Sequence, residues 1–185
     1  MNLSEFSPND LIEIYTGFDE EDEEKFDVGY ILTYDDNFCM TKLVDHYGRF
    51  LSYSLINLNM ISNIISSDDD YLEMIKNFVK ILQDENAFNS LSIDNIKYES
   101  TNNLIDYILK YQCNNKLLTG FVSNDDKIFG FINSIFDNYI IITEIDYVSL
   151  SKKSDIKLFK SNIQQIEYNS ILLYLLKNST YSLLP

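Results

Sequence analysis

The sequence predicts an α+β protein, mainly β, made of two small five-stranded barrels with connecting and C-terminal helices. Three observations lead to this fold class. An internal repeat aligns the two halves of the chain. Each half consists of short apolar or alternating runs divided by turn residues, which is the pattern of strands. Between the halves, and after the second one, apolar residues recur at helical spacing.

The repeat is clearest where residues 28–38 (VGYILTYDDNF) are laid on residues 129–139 (FGFINSIFDNY). Five pairs keep one separation of 101 positions: Gly29 with Gly130, Ile31 with Ile132, Asp36 with Asp137, Asn37 with Asn138, and Phe38 with Tyr139. After one inserted residue, Ile61 and Ile64 align with Ile163 and Ile166. We therefore predict a first barrel repeat in residues 1–67, a helical connector in 68–114, and a second repeat with the C-terminal helix in 115–185.

Each repeat is predicted to contain five strands. Those of the first repeat are Leu11–Tyr15, Phe26–Tyr34, Asn37–Asp45, Phe50–Ile56 and Ile61–Ile65. Those of the second are Leu117–Ser123, Ile128–Phe136, Tyr139–Ile145, Asp155–Phe159 and Ile163–Tyr168. Five short antiparallel strands suffice for a small closed barrel, which leaves no exposed edge. The glycine inside each second strand fits a point of sharp bending.

Three helices are predicted from caps and apolar faces. The first follows Ser66-Ser67, with carboxylates at Asp68–Asp70 near the positive end of the helix dipole. Its apolar face contains Tyr71, Leu72, Ile75, Phe78, Val79 and Leu82. The second starts at Ser100-Thr101 and presents Leu104, Ile105, Ile108 and Tyr111. Ser170 caps a third, Ile171–Lys177, while Ala87–Tyr98 reads as irregular with at most one short strand.

The charge balance favours some partners over others. The chain has 29 acidic and 14 basic residues and a net charge of −15. This charge opposes binding to nucleic acid or to an anionic membrane, and it favours a basic protein partner or simple solubility. The N-terminal residues lack the pattern of a signal peptide, and the longest apolar stretch, Ile171–Leu176, is too short to span a bilayer. We expect a cytoplasmic protein of bacterial or phage origin that has no membrane partner.

The residues needed for familiar chemistry are scarce. Cys39 and Cys113 are far apart in apolar surroundings, which predicts neither a disulfide framework nor a zinc site. His46 is the single histidine, and no G-x-S-x-G sequence accompanies it. Five glycines form no phosphate-binding loop motif. The sequence thus predicts a protein without enzymatic activity, metal or cofactor.

Two charged segments are candidate binding sites. The first is an acidic cluster of Asp19, Glu20, Glu21, Asp22, Glu23, Glu24 and Asp27. It is contiguous and lacks the glycine of a calcium loop, so it is either a partner-binding element or a solvated loop. The second is a group of lysines at Lys152, Lys153, Lys157 and Lys160. These lysines would contact an anion, pair with the acidic cluster of another copy, or protect a strand edge.

The repeated sequence resembles the first motif of Sm-like proteins. That motif combines Gly-x-apolar with an Asp/Asn turn and an aromatic residue, here Gly29-Tyr30-Ile31 with Asp36-Asn37-Phe38, and Gly130-Phe131-Ile132 with Asp137-Asn138-Tyr139. The resemblance implies a small SH3-like barrel, and RNA binding through Asp36, Asn37, Asp137 and Asn138 in a ring of subunits. The chain departs from the family's second motif, an Arg-Gly or basic turn, because Asn57–Met60 and Lys160–Asn162 stand in its place.

Several functions therefore remain open. The leading hypothesis is an acidic binding protein that docks on a basic partner through the acidic cluster, as an immunity protein or an inhibitor does. The second is nucleic-acid binding at Asp36, Asn37, Asp137, Asn138 and the lysine group. The third is a structural subunit that oligomerises through strand edges, and the fourth is an acidic hydrolase. The sequence predicts no oligomeric state.

Overall fold

The fold is mainly β in a computed structural model that describes residues 3–16, 26–66, 70–94, 101–124 and 126–179. The strands of the first half are β1 (Ile12–Thr16), β2 (Phe26–Tyr34), β3 (Phe38–Val44), β4 (Phe50–Asn57) and β5 (Ile61–Ile65). Those of the second half are β6 (Leu118–Ser123), β7 (Asp126–Ile135), β8 (Tyr139–Asp146), β9 (Ser151–Phe159) and β10 (Ile163–Tyr168). The helices are α1 (Asp70–Asp84), α2 (Leu104–Asn114) and α3 (Ile171–Ser179).

The ten strands of the described residues belong to one antiparallel sheet with the order β5-β1-β2-β3-β4-β10-β6-β7-β8-β9. The prediction of two closed barrels is not confirmed, because this sheet is open. In a closed barrel β4 would pair with β5, but here β4 pairs with β10, placing Leu55 opposite Ile166. Pairing with β10 satisfies the backbone groups that closure would otherwise satisfy, so the two five-strand units share one hydrogen-bonded surface.

Each unit is nevertheless curled. Only the turn Leu58–Met60 connects β4 to β5, although these strands are four steps apart in the sheet. Four steps in a flat sheet measure about 19 Å, whereas the connecting residues reach at most about 14 Å. The sheet of each unit must therefore curve, which brings β4 and β5 close enough for the turn to connect them. In the second unit the turn Lys160–Asn162 connects β9 to β10 in the same way. Equivalent hydrogen bonds anchor the two turns, from Leu58 N to Asn37 O at 2.8 Å and from Lys160 N to Asn138 O at 3.0 Å.

The two units have matching local geometry. The β2–β3 pairing has a register irregularity between Ile31 and Thr33, and the β7–β8 pairing has one between Ile132 and Ser134. Gly29 faces the carbonyl oxygen of Lys42, and Gly130 faces that of Thr143. In both positions a Cβ would lie inside 3.0 Å of that oxygen. The aligned glycines thus allow the same close approach of neighbouring strands, which explains why the repeat retains them.

Within the described part of the chain, three apolar clusters stabilise the sheet and its helices. One lies within the first unit and contains Ile12, Ile14, Ile31, Cys39, Leu43, Ile56 and Ile61. The largest joins α1 and α2 to residues of both units. The third packs Leu173 and Leu176 of α3 on Leu118, Phe129 and Ile145. The largest cluster, together with the β4–β10 pairing, connects the units through buried apolar contacts.

The predicted elements agree with the structure except at a few boundaries. The helix expected from Ser100-Thr101 starts at Leu104, since the side chain of Asn103 accepts a hydrogen bond from Asp106 N and caps it. The predicted cap of α3 is confirmed by a 3.0 Å bond from Leu173 N to Ser170 Oγ. Strand β9 begins at Ser151, four residues before the predicted start. Residues 95–100 and Asp68-Asp69 lie outside the described residues. None of the described helices combines the length and apolar character needed to cross a membrane.

Candidate interaction surfaces

The acidic cluster is described only at its last member. Asp19, Glu20, Glu21, Asp22, Glu23 and Glu24 lie outside the described residues, and Asp27 is half-buried near the start of β2. Burial raises the pKa of Asp27, and the nearby Glu167 carboxylate raises it further, while Lys127 lowers it. Lys127 Nζ lies 2.7 Å from Glu167 Oε2. Asp27 therefore lies close enough to the Lys127–Glu167 ion pair, which connects β7 and β10, for both charges to act on it.

The two Asp-Asn turns are exposed, but they are not adjacent. Asp36-Asn37 joins β2 to β3 and Asp137-Asn138 joins β7 to β8. Five antiparallel steps separate β3 from β8 in the sheet, so the turns precede strands that run in opposite directions. The strand order therefore does not assemble these four residues into one site. Asp35, one residue before the first turn, instead accepts a 2.7 Å bond from Leu104 N at the start of α2.

The four lysines of the basic group have different environments. Lys153 lies 2.8 Å from Glu144 and 3.7 Å from Asp146, and Lys160 lies 2.6 Å from Asp106. Lys157 Nζ lies over the rings of Tyr139 and Phe159, 3.9 and 4.7 Å from their centroids. Lys152 is exposed. Two of the four charges are thus balanced by intramolecular carboxylates, and the group does not form a uniform basic patch.

An aromatic surface that the sequence analysis missed lies beside Lys157. Phe136 and Tyr139 stack with centroids 4.5 Å apart, and Phe159 meets Tyr139 edge-on at 6.3 Å. Phe136 and Phe159 are each 45% exposed. We call Phe136, Tyr139, Phe159 and Lys157 the aromatic edge. The aromatic residues flanking the second Asp-Asn turn in the sequence are the feature from which this surface was predictable.

A second missed feature is a partly buried polar cluster on β3 and β4. Asp94 accepts from Lys42 Nζ and from Tyr53 Oη, both at 2.5 Å. The ring of Phe88 lies under the same ammonium group, 4.9 Å from Nζ, and Phe88 O accepts from Phe50 N at 2.9 Å. These contacts hold residues 88–94 against β3 and β4 of the first unit. Lys42 is conspicuous in the sequence as the one charged residue within the apolar strand β3.

The residues tested for chemistry are dispersed. His46 is exposed, with its ring centroid 3.9 Å from that of Tyr47. Within the described ranges, no group of three or more His, Cys, Asp or Glu side chains is arranged to hold a metal ion. Cys39 is buried and Cys113 half-buried, both as free thiols. Burial raises the pKa of Cys39 to about 12, so its thiol remains protonated at neutral pH and is a poor nucleophile.

These surfaces define a mainly β protein of two fused sheet units, with an acidic balance, an aromatic edge and five basic side chains that are paired with carboxylates of the same chain. Comparison of the chain with protein-family models, with curated proteins and with solved structures gives no match. Its function must therefore be argued from its own surfaces.

Proposed function

We propose that this chain is a non-catalytic acidic binding protein that docks on a basic protein partner, in the manner of an immunity protein or an inhibitor. The charge balance carries the proposal, with 29 acidic against 14 basic residues. Six of the acids are contiguous in Asp19–Glu24. Such a concentration of one sign steers a partner of the opposite sign and makes association depend on salt.

The ion pairs of the structure support this proposal. Lys42, Arg49, Lys127, Lys153 and Lys160 each lie within 4.0 Å of a carboxylate of the same chain. Bases that are paired internally contribute little positive potential at a distance. The acidic excess therefore remains available to an external cation such as a Lys/Arg-rich protein surface.

The proposal is tested by capturing partners from a lysate on the immobilised protein at about 50 mM and about 500 mM salt, across which screening increases strongly. A variant replaces Asp19–Glu24 with Asn and Gln. The control removes six exposed acids elsewhere: Glu5, Asp70, Glu73, Asp84, Glu85 and Asp126. We expect a basic protein that is retained at low salt by the wild type and the control, and lost from the cluster variant. Equal loss from both variants, or binding that ignores salt, would contradict the proposal.

A second candidate function, single-stranded nucleic-acid binding, is favoured by the aromatic edge. Exposed rings beside a cation provide a stacking surface for bases, and each stacked base contributes about 1–3 kcal/mol. Phe136, Phe159 and Lys157 provide this combination. The exposed turn residues Asp137 and Asn138 lie at the same end of β8.

Fluorescence anisotropy with a labelled oligouridine at about 50 mM salt tests this alternative, because low salt favours phosphate contacts. If the aromatic edge binds RNA, Phe159→Ala should weaken binding about fivefold or more. Lys110→Ala, an exposed lysine change on α2, is the matched control and should have no effect. Absence of binding by the wild type would exclude this alternative.

A further inference from the structure

A groove on the second unit has a lining that contrasts with the acidic balance of the chain. Its volume is about 440 Å³ and its walls include Lys116, Lys152, Lys177, Phe131, Asn133 and Thr143. Lys116 follows α2, Lys152 is on β9 and Lys177 is on α3, so three separate segments of the chain each contribute a lysine. We call this the Lys152 groove. Its volume falls within the range of small-ligand and peptide pockets, and its positive lining favours anionic ligands.

Strand pairing shows which part of the first unit corresponds to this groove. In the first unit Lys42 lies opposite Tyr53, and Val44 lies opposite Phe50. In the second unit Thr143 lies opposite Asp155, and Ile145 lies opposite Lys152. Thr143 therefore occupies the position of Lys42, and Lys152 occupies that of Phe50.

In the first unit this position is filled by the chain's own residues 88–94. Phe88 O accepts from Phe50 N at 2.9 Å, and Asp94 meets Lys42 and Tyr53. The segment follows α1, which packs in the same cluster as Leu11, Val28 and Val44. In the second unit α3 packs on Leu118, Phe129 and Ile145, the equivalent residues. Among the described residues no segment covers Thr143 and Lys152 as residues 88–94 cover Lys42 and Phe50.

The side chains around the Lys152 groove indicate which side chains a segment bound there would carry. Lys152 occupies the position that Phe50 has in the first unit, so the groove presents a cation where the first unit has an aromatic ring. The nearby Asp155 Oδ1 accepts hydrogen bonds from Thr143 Oγ1 at 2.6 Å and from Asn133 Nδ2 at 3.1 Å. Because Asn133 and Thr143 donate hydrogen bonds to this carboxylate, its negative charge opposes the lysines of the groove less strongly. Phe131 supplies an apolar contact.

We propose that the Lys152 groove binds an acidic peptide segment of a partner protein, seated as residues 88–94 are seated on the first unit. The segment carries an apolar or aromatic residue that packs near Phe131 and carboxylates that meet Lys116 and Lys152, which are both exposed. The outer side of β9 adds unpaired backbone groups, because β9 ends the described sheet. This site is separate from the acidic cluster and independent of the basic-partner proposal, since it selects a ligand of the opposite charge.

The test is a titration of the full chain into a fluorescein-labelled heptapeptide, Phe-Asp-Ser-Leu-Asp-Ile-Asp, which follows the pattern of residues 88–94 with additional carboxylates. We expect saturable binding below about 1 mM, as for a weak peptide site. Lys152→Glu combined with Lys116→Glu should weaken binding at least tenfold. Lys110→Glu, a change to another exposed lysine, should leave binding unchanged. Thermal unfolding of each variant confirms that the fold is retained.

Three results would overturn the proposal. The first is equal binding of a matched peptide with Asn in place of each Asp, because carboxylates would then be unnecessary. The second is full displacement of the peptide by equimolar inorganic pyrophosphate, which would identify a small-anion site. The third is self-association measured by sedimentation that is abolished by Lys152→Glu, which would make a second copy the occupant. Amide chemical-shift changes at Phe131, Asn133 and Thr143 on peptide addition, without changes at Asp94, would support it.

Discussion

Replacement of the two equivalent glycines tests the structural repeat at atomic detail. A Cβ on Gly130 would lie 2.6 Å from Thr143 O and 3.2 Å from Thr143 C, both backbone atoms of the neighbouring strand. A Cβ on Gly29 would meet Lys42 O even more closely, and Leu43 Cδ2 at 2.9 Å. Neither carbonyl can retreat without separating paired strands. Gly130→Ala and Gly29→Ala should therefore both destabilise the fold.

The expected magnitude follows from two opposing effects. Overpacking in a rigid region costs about 1–3 kcal/mol. Removing a glycine from a strand returns about 0.5–1 kcal/mol by reducing the freedom of the unfolded chain. We expect a net loss of about 1–2 kcal/mol for Gly130→Ala, and somewhat more for Gly29→Ala. Urea unfolding followed by far-UV circular dichroism measures both values.

Gly120→Ala is the matched control. A Cβ there would first meet Phe129 Cε1 at 3.3 Å, on a side chain that can adjust. The free energy of unfolding of Gly120→Ala should differ from that of the wild type by less than about 0.5 kcal/mol. If Gly29→Ala and Gly130→Ala were as mild as this control, the close approach of the strands would be wrong. If only one of them were destabilising, the equivalence of the two units would be wrong.

Three further predictions concern buried and partly buried groups. Asp94→Asn removes the carboxylate that meets Lys42, whose side chain is 22% exposed, and should cost about 2–3 kcal/mol in urea unfolding. Tyr53→Phe leaves this ion pair intact and should cost about 1 kcal/mol. Equal values for the two variants would refute the role of the ion pair. In native protein at pH 8, a thiol reagent should label Cys113 and spare Cys39, whose pKa is raised to about 12, until the chain unfolds. Because the unfolded chain releases the Cys39 proton near pH 8.5 and the folded chain retains it, this residue should reduce stability progressively as pH rises above about 8.5, and Cys39→Ala should remove that contribution. Labelling of both thiols at similar rates in the native state would contradict the burial of Cys39.

The elements were predictable because the sequence patterns are local. Strands β2, β5 and β10 begin and end at the predicted residues, since each is an apolar or alternating run bounded by turn residues. The start of α2 was placed too early, because Ser100 and Thr101 compete in the sequence with Asn103, which makes the capping bond in the structure. Several residues that suit an N-cap lie close together there, and only the geometry of the turn selects one.

The joining of the two units was not predictable from local patterns. Whether β4 pairs with β5 of its own unit or with β10 depends on contacts between residues more than 100 positions apart. One difference in the sequence does bear on the outcome. β4 presents Ser52, Tyr53 and Ser54 inside the sheet, whereas the equivalent strand β9 has lysines at 152, 153 and 157. Charged side chains are typical of an edge that does not pair further.

The surfaces were predictable only in part. The lysine group at residues 152–160 was identified, but the sequence does not reveal that Lys153 and Lys160 pair with Glu144 and Asp106. The Lys152 groove combines residues of α2, β7, β8, β9 and α3, which are brought together by the fold alone. Periodicity identifies the buried face of each element but not which elements meet.

The central structural claim is that two equivalent five-strand units pair through β4 and β10 into one open sheet. Interstrand nuclear Overhauser effects in isotope-labelled protein test this pairing directly. The account predicts backbone contacts of Leu55 with Ile166 and of Tyr53 with Tyr168, the residues that lie opposite each other in β4 and β10. Backbone contacts of β4 with Ile61–Ile65, in place of those with β10, would show a closed first barrel and contradict the shared sheet.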